Sequence, residues 1–146
     1  MLTSLVEEKI NAPVDRLYSA WSDAGQLSRW FTTSHVHDFR VGGSYHNDDK
    51  DEGVFLEIEN NKKIRLTWEN KEHCPGTEVE VIFEPLQTGS SKITIIHSKL
   101  SSQQHYDSMN TGWRWAVYSL KSYLETGKAV RYDEWGKLQN QPEPGK

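Results

Sequence analysis

Of the 146 residues only one, Cys74, is a cysteine. No internal disulfide can form, so the fold rests on its core, and a reducing, cytoplasmic setting is expected. Long apolar runs are missing too. Nothing approaches the roughly 20 residues a membrane helix needs, and Glu7, Glu8 and Lys9 stand where a secretory signal would be apolar. No membrane insertion is expected. Charge of one sign is scarce: Lys and Arg number 17, Asp and Glu 21, and the net charge of −4 is spread along the chain. That spread argues against a nucleic-acid surface. There is no Gly-x-Ser-x-Gly, no phosphate-binding loop and no dinucleotide fingerprint. The common hydrolase, nucleotidase and Rossmann chemistries therefore find no support, and no cofactor is expected.

What is present is aromatic: six tryptophans in a chain of modest hydrophobicity. Large rings either build a core or line a pocket within one. A chain of this length buries about 70% of its unfolded surface, enough for one soluble domain, and no repeat or linker divides it. Residues 2 to 10 alternate as a strand, with Val6 and Ile10 on one side and Glu7 and Lys9 on the other. Pro13 suits the first turn of a helix carrying Val14, Leu17, Tyr18 and Trp21 at helical spacing. A second short helix presents Leu27, Trp30 and Phe31. From Val36 onward the period is two, punctuated by Val41-Gly42-Gly43, Asp48 to Gly53, Asn60-Asn61, His73 to Gly76 and Pro85 to Ser91. Turns this short join antiparallel strands, since parallel crossovers need a dozen or more residues. A long helix from about Ser102 to Thr126 closes the pattern, with Met109, Trp113, Ala116, Val117, Leu120 and Leu124 on one stripe and Gly127 as its stop. The class is α+β, with a curved antiparallel sheet wrapped around the long helix. Residues 1–127 form the domain and 128–146 an extension. Gln139 to Lys146 holds Pro142, Pro144 and Gly145 and no apolar residue, so its end is expected to be disordered.

Several local signatures occur in a telling order. They are Ile10-Asn11-Ala12-Pro13 followed by Val14, Leu17 and Trp21; Leu27 with Trp30-Phe31; Val41-Gly42-Gly43 leading to Tyr45; Leu66-Thr67-Trp68; His97 ending the last strand; Gly112-Trp113; and Leu120, Tyr123, Leu124 and Glu125. Together they resemble the helix-grip fold of the START-like superfamily. More narrowly, they resemble the family named for homologues of the activator of the ninety-kilodalton heat-shock chaperone's ATPase. The resemblance implies a cavity between sheet and helix, and relatives that carry lipids, cyclise polyketides or serve a chaperone in stress response. The chaperone activators carry a further N-terminal domain. This sequence opens directly on the first strand, so co-chaperone work is the weaker expectation.

Strand parity places Leu56, Ile58, Leu66, Trp68, Val79, Val81, Phe83, Ile93, Ile95 and His97 on the inner face. Taken singly, inward rings fill a core; on a helix-grip frame they line a cavity. The expected ligand-binding set is Trp21, Trp30, Phe31, Tyr45, Leu56, Trp68, Val81, Ile95, His97, Met109, Trp113 and Val117. His97, alone on an apolar face, is either an acid or base working with Tyr45 or a histidine satisfied inside the protein. His35 and His37 have a two-ligand spacing but no third ligand, so solvated side chains and no metal are expected. His46, His73 and His105 read as turn or surface residues, and Cys74 as incidental. Trp135, beyond the helix, either folds back on the domain or sits in a homodimer contact.

The leading functional expectation is a carrier or sensor of a small hydrophobic, aromatic or lipid-like molecule. The alternatives are a cyclase or dehydratase moving protons through His97 and Tyr45, and a co-chaperone-like interaction module with a chaperone partner.

Overall fold

Alternation carries the first strand. In the computed structural model, which describes residues 1–139, β1 (Leu2–Ile10) buries Ser4, Val6 and Ile10 and exposes Glu7 and Lys9. Pro13 then turns the chain. It lacks an N–H that would have no partner in a first turn, and its carbonyl accepts from Arg16 and Leu17, each at 3.1 Å. That starts α1 (Val14–Ser22), which buries Leu17, Tyr18 and Trp21. Asp23 ends α1 and caps α2 (Ala24–Trp30), its carboxylate accepting from the Gly25 N–H at 2.8 Å.

The period then drops to two through β2 (His35–His37), β3 (Ser44–Asn47), β4 (Glu52–Glu59), β5 (Lys63–Asn70), β6 (Cys74–Pro85) and β7 (Ser91–Leu100). All pairings are antiparallel, in the order β1-β7-β6-β5-β4-β3-β2. The meander therefore runs unbroken from β2 to β7, and β1 closes against β7. The helix α3 (Gln103–Thr126) lies across the inner face. Ser102 caps it by accepting from the His105 N–H at 3.1 Å. Gly127 stops it with φ 84°, a left-handed value that glycine adopts without a Cβ clash, and donates its N–H to the Tyr123 carbonyl at 2.9 Å. Val79, Val81, Ile93 and Ile95 from the sheet and Ala116, Val117 and Leu120 from the helix are buried between the layers. Each Val, Leu or Ile of this kind contributes about 1.5–3 kcal/mol by leaving water.

Strict alternation misplaces one residue. The β4–β5 register shifts between Phe55 and Glu57. The extra residue of this bulge is Leu56, which is half-buried, while Phe55 takes the inner position at 4% exposure. Leu56 is therefore corrected from cavity lining to the bulge. The α3 stripe is also wider than its sheet-facing residues. Trp115 and Ser119 are buried on another face, because α2 and the chain after α3 cover it. Ser119 Oγ donates to the Trp30 carbonyl at 2.6 Å and accepts the Val130 N–H at 3.2 Å. The extension continues into α4 (Tyr132–Gln139), whose Trp135 is 6% exposed beneath the Arg114 guanidinium. Of the two expectations for Trp135, folding back is the one observed. Gln139 ends α4, and the rest of the expected disordered end, residues 140–146, lies outside the described residues.

At Gly53, opposite Tyr45 on β3, a Cβ would overlap the Thr67 carbonyl oxygen on β5 and meet Thr67 Oγ1 at 2.6 Å. Gly53→Ala is expected to cost about 2 kcal/mol by forcing β4 off β5, read as a lower urea midpoint. A loss under about 0.5 kcal/mol would show instead that the strand pair yields freely.

Candidate functional site

An open cleft of about 920 Å³ lies at the mouth of the grip. Its floor is aromatic: Trp30 and Phe31 from the end of α2, Trp68 from β5, and Trp113 and Trp115 from α3. Phe31 stacks on Trp113 at 5.8 Å with the planes 6° apart, and on Trp115 at 6.0 Å. Trp68 meets Trp113 edge-on at 5.0 Å. Gly112 sits on the helical wall, where a Cβ would meet nothing within 4 Å. Glycine inside a helix costs about 1 kcal/mol relative to alanine, so here the space is kept at a small expense in stability.

The opposite wall is the β3–β4 turn. Asp48 holds the α2–β2 link, accepting from the Thr33 hydroxyl and, at 3.1 Å, from the Ser34 N–H. The Thr33 hydrogen bond is the main reason its carboxyl is held below the usual range. Asp51 is buried, accepting from Asn70 Nδ2 at 2.9 Å and Asn47 Nδ2 at 3.2 Å. Burial raises its pKa, and the two amides offset part of that rise. Burial also raises Asp49. The last wall is the segment after α3, including Val130, Arg131 and Tyr132. It is tied down where the Trp115 indole donates to the Val130 carbonyl at 2.8 Å.

Behind the floor lies a chamber of only about 10 Å³, bordered by Trp21, His35, His37, Tyr45, Phe31 and Trp68. His35 and His37 are corrected here. They are half-buried rather than solvated side chains: β2 turns both inward and leaves Val36 outside, with His35 stacked on Tyr45 at 5.8 Å. Burial is the largest cause lowering both pKa values, His35 to about 4. Among the described residues no group of three metal-ligating side chains comes together.

His97 is fully buried, and both its nitrogens are engaged. The Trp113 indole N–H donates to Nδ1 at 2.8 Å. Nδ1 is therefore the acceptor and Nε2 carries the proton, which it donates to Thr77 Oγ1 at 2.7 Å. Thr77 passes its own proton to the Trp68 carbonyl at 2.6 Å. Burial lowers His97 to about 4, keeping it neutral at pH 7. Tyr45 is likewise committed, donating to the Thr67 carbonyl at 2.8 Å, and burial raises its pKa. The proton-moving pair expected for a cyclase is thus bound into the protein's own network, and the partners of His97 are Thr77 and Trp113 rather than Tyr45.

Of the residues expected to hold a ligand, the structure brings Trp30, Phe31, Trp68, Met109 and Trp113 to the cleft. Trp21 and Tyr45 border the inner chamber. Val81, Ile95, His97 and Val117 lie in the core and reach neither. The sequence reading missed Trp115 on the cleft floor and Asp51, Asn70 and Tyr132 on its walls. For Asp51 a signal was available: Asn47-x-x-x-Asp51 pairs an amide with an acid across a tight turn.

A curved antiparallel sheet closed on one long helix, with its cleft at the open end, defines a helix-grip protein of the START-like class. The chain belongs to the family described as Activator of Hsp90 ATPase homolog 1-like protein, whose model matches residues 11–125. Among curated proteins none matches it. Solved structures do. CalU16 from Micromonospora echinospora, in solution, is 22% identical with a TM-score of 0.80, over 98% of this chain and 77% of that one. The Aha1 dimer from Colwellia psychrerythraea is 22% identical with a TM-score of 0.77, over 88% of this chain and 100% of that one. An HSP90 activator from Plasmodium falciparum is 23% identical with a TM-score of 0.68, over 77% and 88%. At these identities the likeness speaks for the fold. Among the described residues no helix is long and apolar enough to cross a membrane.

Proposed function

We propose that this protein is a carrier or sensor that takes a small aromatic or lipid-like molecule into the cleft at the mouth of the grip. The observation that carries this reading is the floor of five rings beneath an open space of about 920 Å³, apolar below and polar at the rim as ligand sites usually are. A cytoplasmic setting accords with the single cysteine. Cys74 is buried in the core, and burial pushes its thiol up to about 12, so it stays an inert thiol.

The test is a thermal-shift screen against fatty acids, flavonoids, sterols and aromatic metabolites. A ligand at a hundred times its Kd adds about 2.7 kcal/mol, several degrees for a domain this size. Gly112→Leu supplies the control. A Cβ at this cleft-lining position meets nothing within 4 Å, so the added side chain has room to extend over the rings, and a good helix former replaces a poor one. The variant should fold at least as well as the parent and lose binding by about tenfold or more, the equivalent of about 1.4 kcal/mol. Undiminished binding would place the ligand elsewhere.

A second reading is favoured by the family itself and by the neighbours from Colwellia and Plasmodium. In it the protein contacts the Hsp90-type chaperone, as a monomer or as a homodimer. The chaperone's ATPase rate, measured with and without this protein, is the check; an unchanged rate and no co-sedimentation would remove it.

A further inference from the structure

Trp68 lies on the floor of the cleft and is only 2% exposed, yet its indole Nε1 has no hydrogen-bond partner in the protein. Buried polar groups are almost always paired, so an unmet donor beside an open cleft marks a place where an acceptor is received. The N–H is turned towards Asp51 on the cleft wall. It is among the groups that hold that carboxyl's pKa down, though it closes no hydrogen bond with it.

The groups around this N–H show what is left to bond. Asn70 is spent. Its amide hydrogens go to the Asp51 carboxylate at 2.9 Å and the Asp49 carbonyl at 3.1 Å. Its oxygen accepts from the Glu72 and His73 N–H groups at 3.1 and 3.2 Å. Asn47 donates to Asp51 at 3.2 Å, and its oxygen accepts from the Asp49 and Asp51 N–H groups at 3.0 and 3.2 Å. Asp51 is 7% exposed. Its carboxylate has about four lone-pair directions, and the two amides occupy one each. One donor, Trp68 Nε1, and one acceptor, the Asp51 carboxylate, thus remain open to each other's side at the polar end of the aromatic floor.

A group that answers both must accept and donate, and a hydroxyl does so at one oxygen. A carboxylate only accepts. It would answer the indole but stand against Asp51, with Asp48 and Asp49 on the same wall. An ammonium only donates, and would set its N–H against the N–H of Trp68. The guanidinium groups of the cleft, on Arg29 and Arg131, belong to exposed residues. We propose that Trp68 Nε1 and Asp51 form a hydroxyl-recognition point in the cleft, so that the ligand class is a neutral aromatic alcohol or phenol lying on the rings, its oxygen accepting from the indole and donating to the carboxylate. This rests on the cleft being the ligand site. A phenolic proton given to an ionised carboxylate makes a charge-assisted bond, roughly twice as strong as a neutral one. Of the classes in the thermal-shift screen, flavonoids fit this chemistry and fatty acids do not. A bridging water meets the same two groups equally well, and the experiment separates the two.

Affinities of the intact protein are measured at pH 7 for naphthol, naphthalene, naphthoate and naphthylmethylammonium. A cleft that merely buries rings favours naphthalene, the more apolar of the two neutral probes. The recognition point reverses that order, with naphthol tighter by about tenfold for the bonds gained and both ions weaker than naphthol. The indole proton of Trp68, followed by NMR in the parent, should move downfield with naphthol and stay in place with naphthalene. Trp68→Phe keeps a ring on the floor and removes the donor, and should bring naphthol and naphthalene within about threefold of each other. The parent's indole proton decides the matter if that variant fails to fold. Equal binding of the two neutral probes, with the indole proton unmoved, leaves water between Trp68 and Asp51 and overturns the recognition point while the cleft stands. A preference for naphthoate overturns it in favour of the arginines, and one for the ammonium in favour of the carboxylate alone. If the parent binds none of the probes, the cleft reading fails and the recognition point with it.

Discussion

His97→Ala should lower the stability of the protein by about 4 kcal/mol, the sum of a core cavity and of polar groups left unpaired. The imidazole joins the two layers of the fold. It takes the indole proton of Trp113 on α3 and hands its own to Thr77 on β6. Removing it strands a buried N–H on the helix and loosens the Thr77 hydroxyl that answers the Trp68 carbonyl. His97→Gln is the informative companion, because its amide oxygen accepts and its amide nitrogen donates. It should cost about 1–2 kcal/mol, since shape is lost but both bond types survive. Urea unfolding followed by tryptophan fluorescence measures both. Equal losses for Ala and Gln would mean that volume alone matters at this position and that the hydrogen-bonded chain is idle.

Acid is the second large lever. Burial depresses His97 from the ordinary 6.5 to about 4 in the folded protein, so the unfolded chain binds the proton first. The stability this represents is fully present above pH 6.5 and is lost as the pH falls towards 4, on the order of 3 kcal/mol at the lower end. The geometry gives the same sign: a proton on Nδ1 would set N–H against the N–H of Trp113. His35 and His37, depressed chiefly by burial, act in the same direction. Asp51 and Asp49 act oppositely. Their folded pKa values are raised, so the stability they carry falls as the pH rises and returns in part on the way down. Three imidazoles outweigh two carboxyls, and unfolding should set in between pH 6.5 and 4 against a total stability of about 5–15 kcal/mol. A thermal midpoint that stays level from pH 7 to 5 would contradict the assignment, and His97→Gln should flatten the slope.

The order of elements was legible because each depends on local chemistry. Pro13 opens the first of two short helices, Gly127 stops a long one, and the turns between strands are too short for crossovers. The fine placement of the site was not. Leu56 and Phe55 exchange roles at a bulge, a matter of register that alternation cannot carry. His35 and His37 face inward on a strand of three residues, too short for any period to declare itself. Their inward face follows from pairing with Asn47 and Tyr45 on β3, a long-range fact. Trp115 was missed because the helix has a second buried face, created by residues more than ten positions later. A cavity was expected between sheet and helix; the open cleft lies instead at the mouth of the grip. Ring volumes contribute to that: Trp21, Phe31, Trp68 and Trp113 pack on one another beside a chamber of only about 10 Å³.

The stretch that matches the family ends at residue 125, yet one wall of the cleft is built from residues 129 to 134. Frame and cleft wall are thus written in different parts of the chain. The wall is attached at few points, through Val130 to Trp115 and Ser119 and through Trp135 under Arg114. A tail of other composition hung on the same points would give another opening over the same rings. If the cleft takes a ligand as proposed, exchanging residues 128–139 for a relative's should change which probe binds while the core stays as it is.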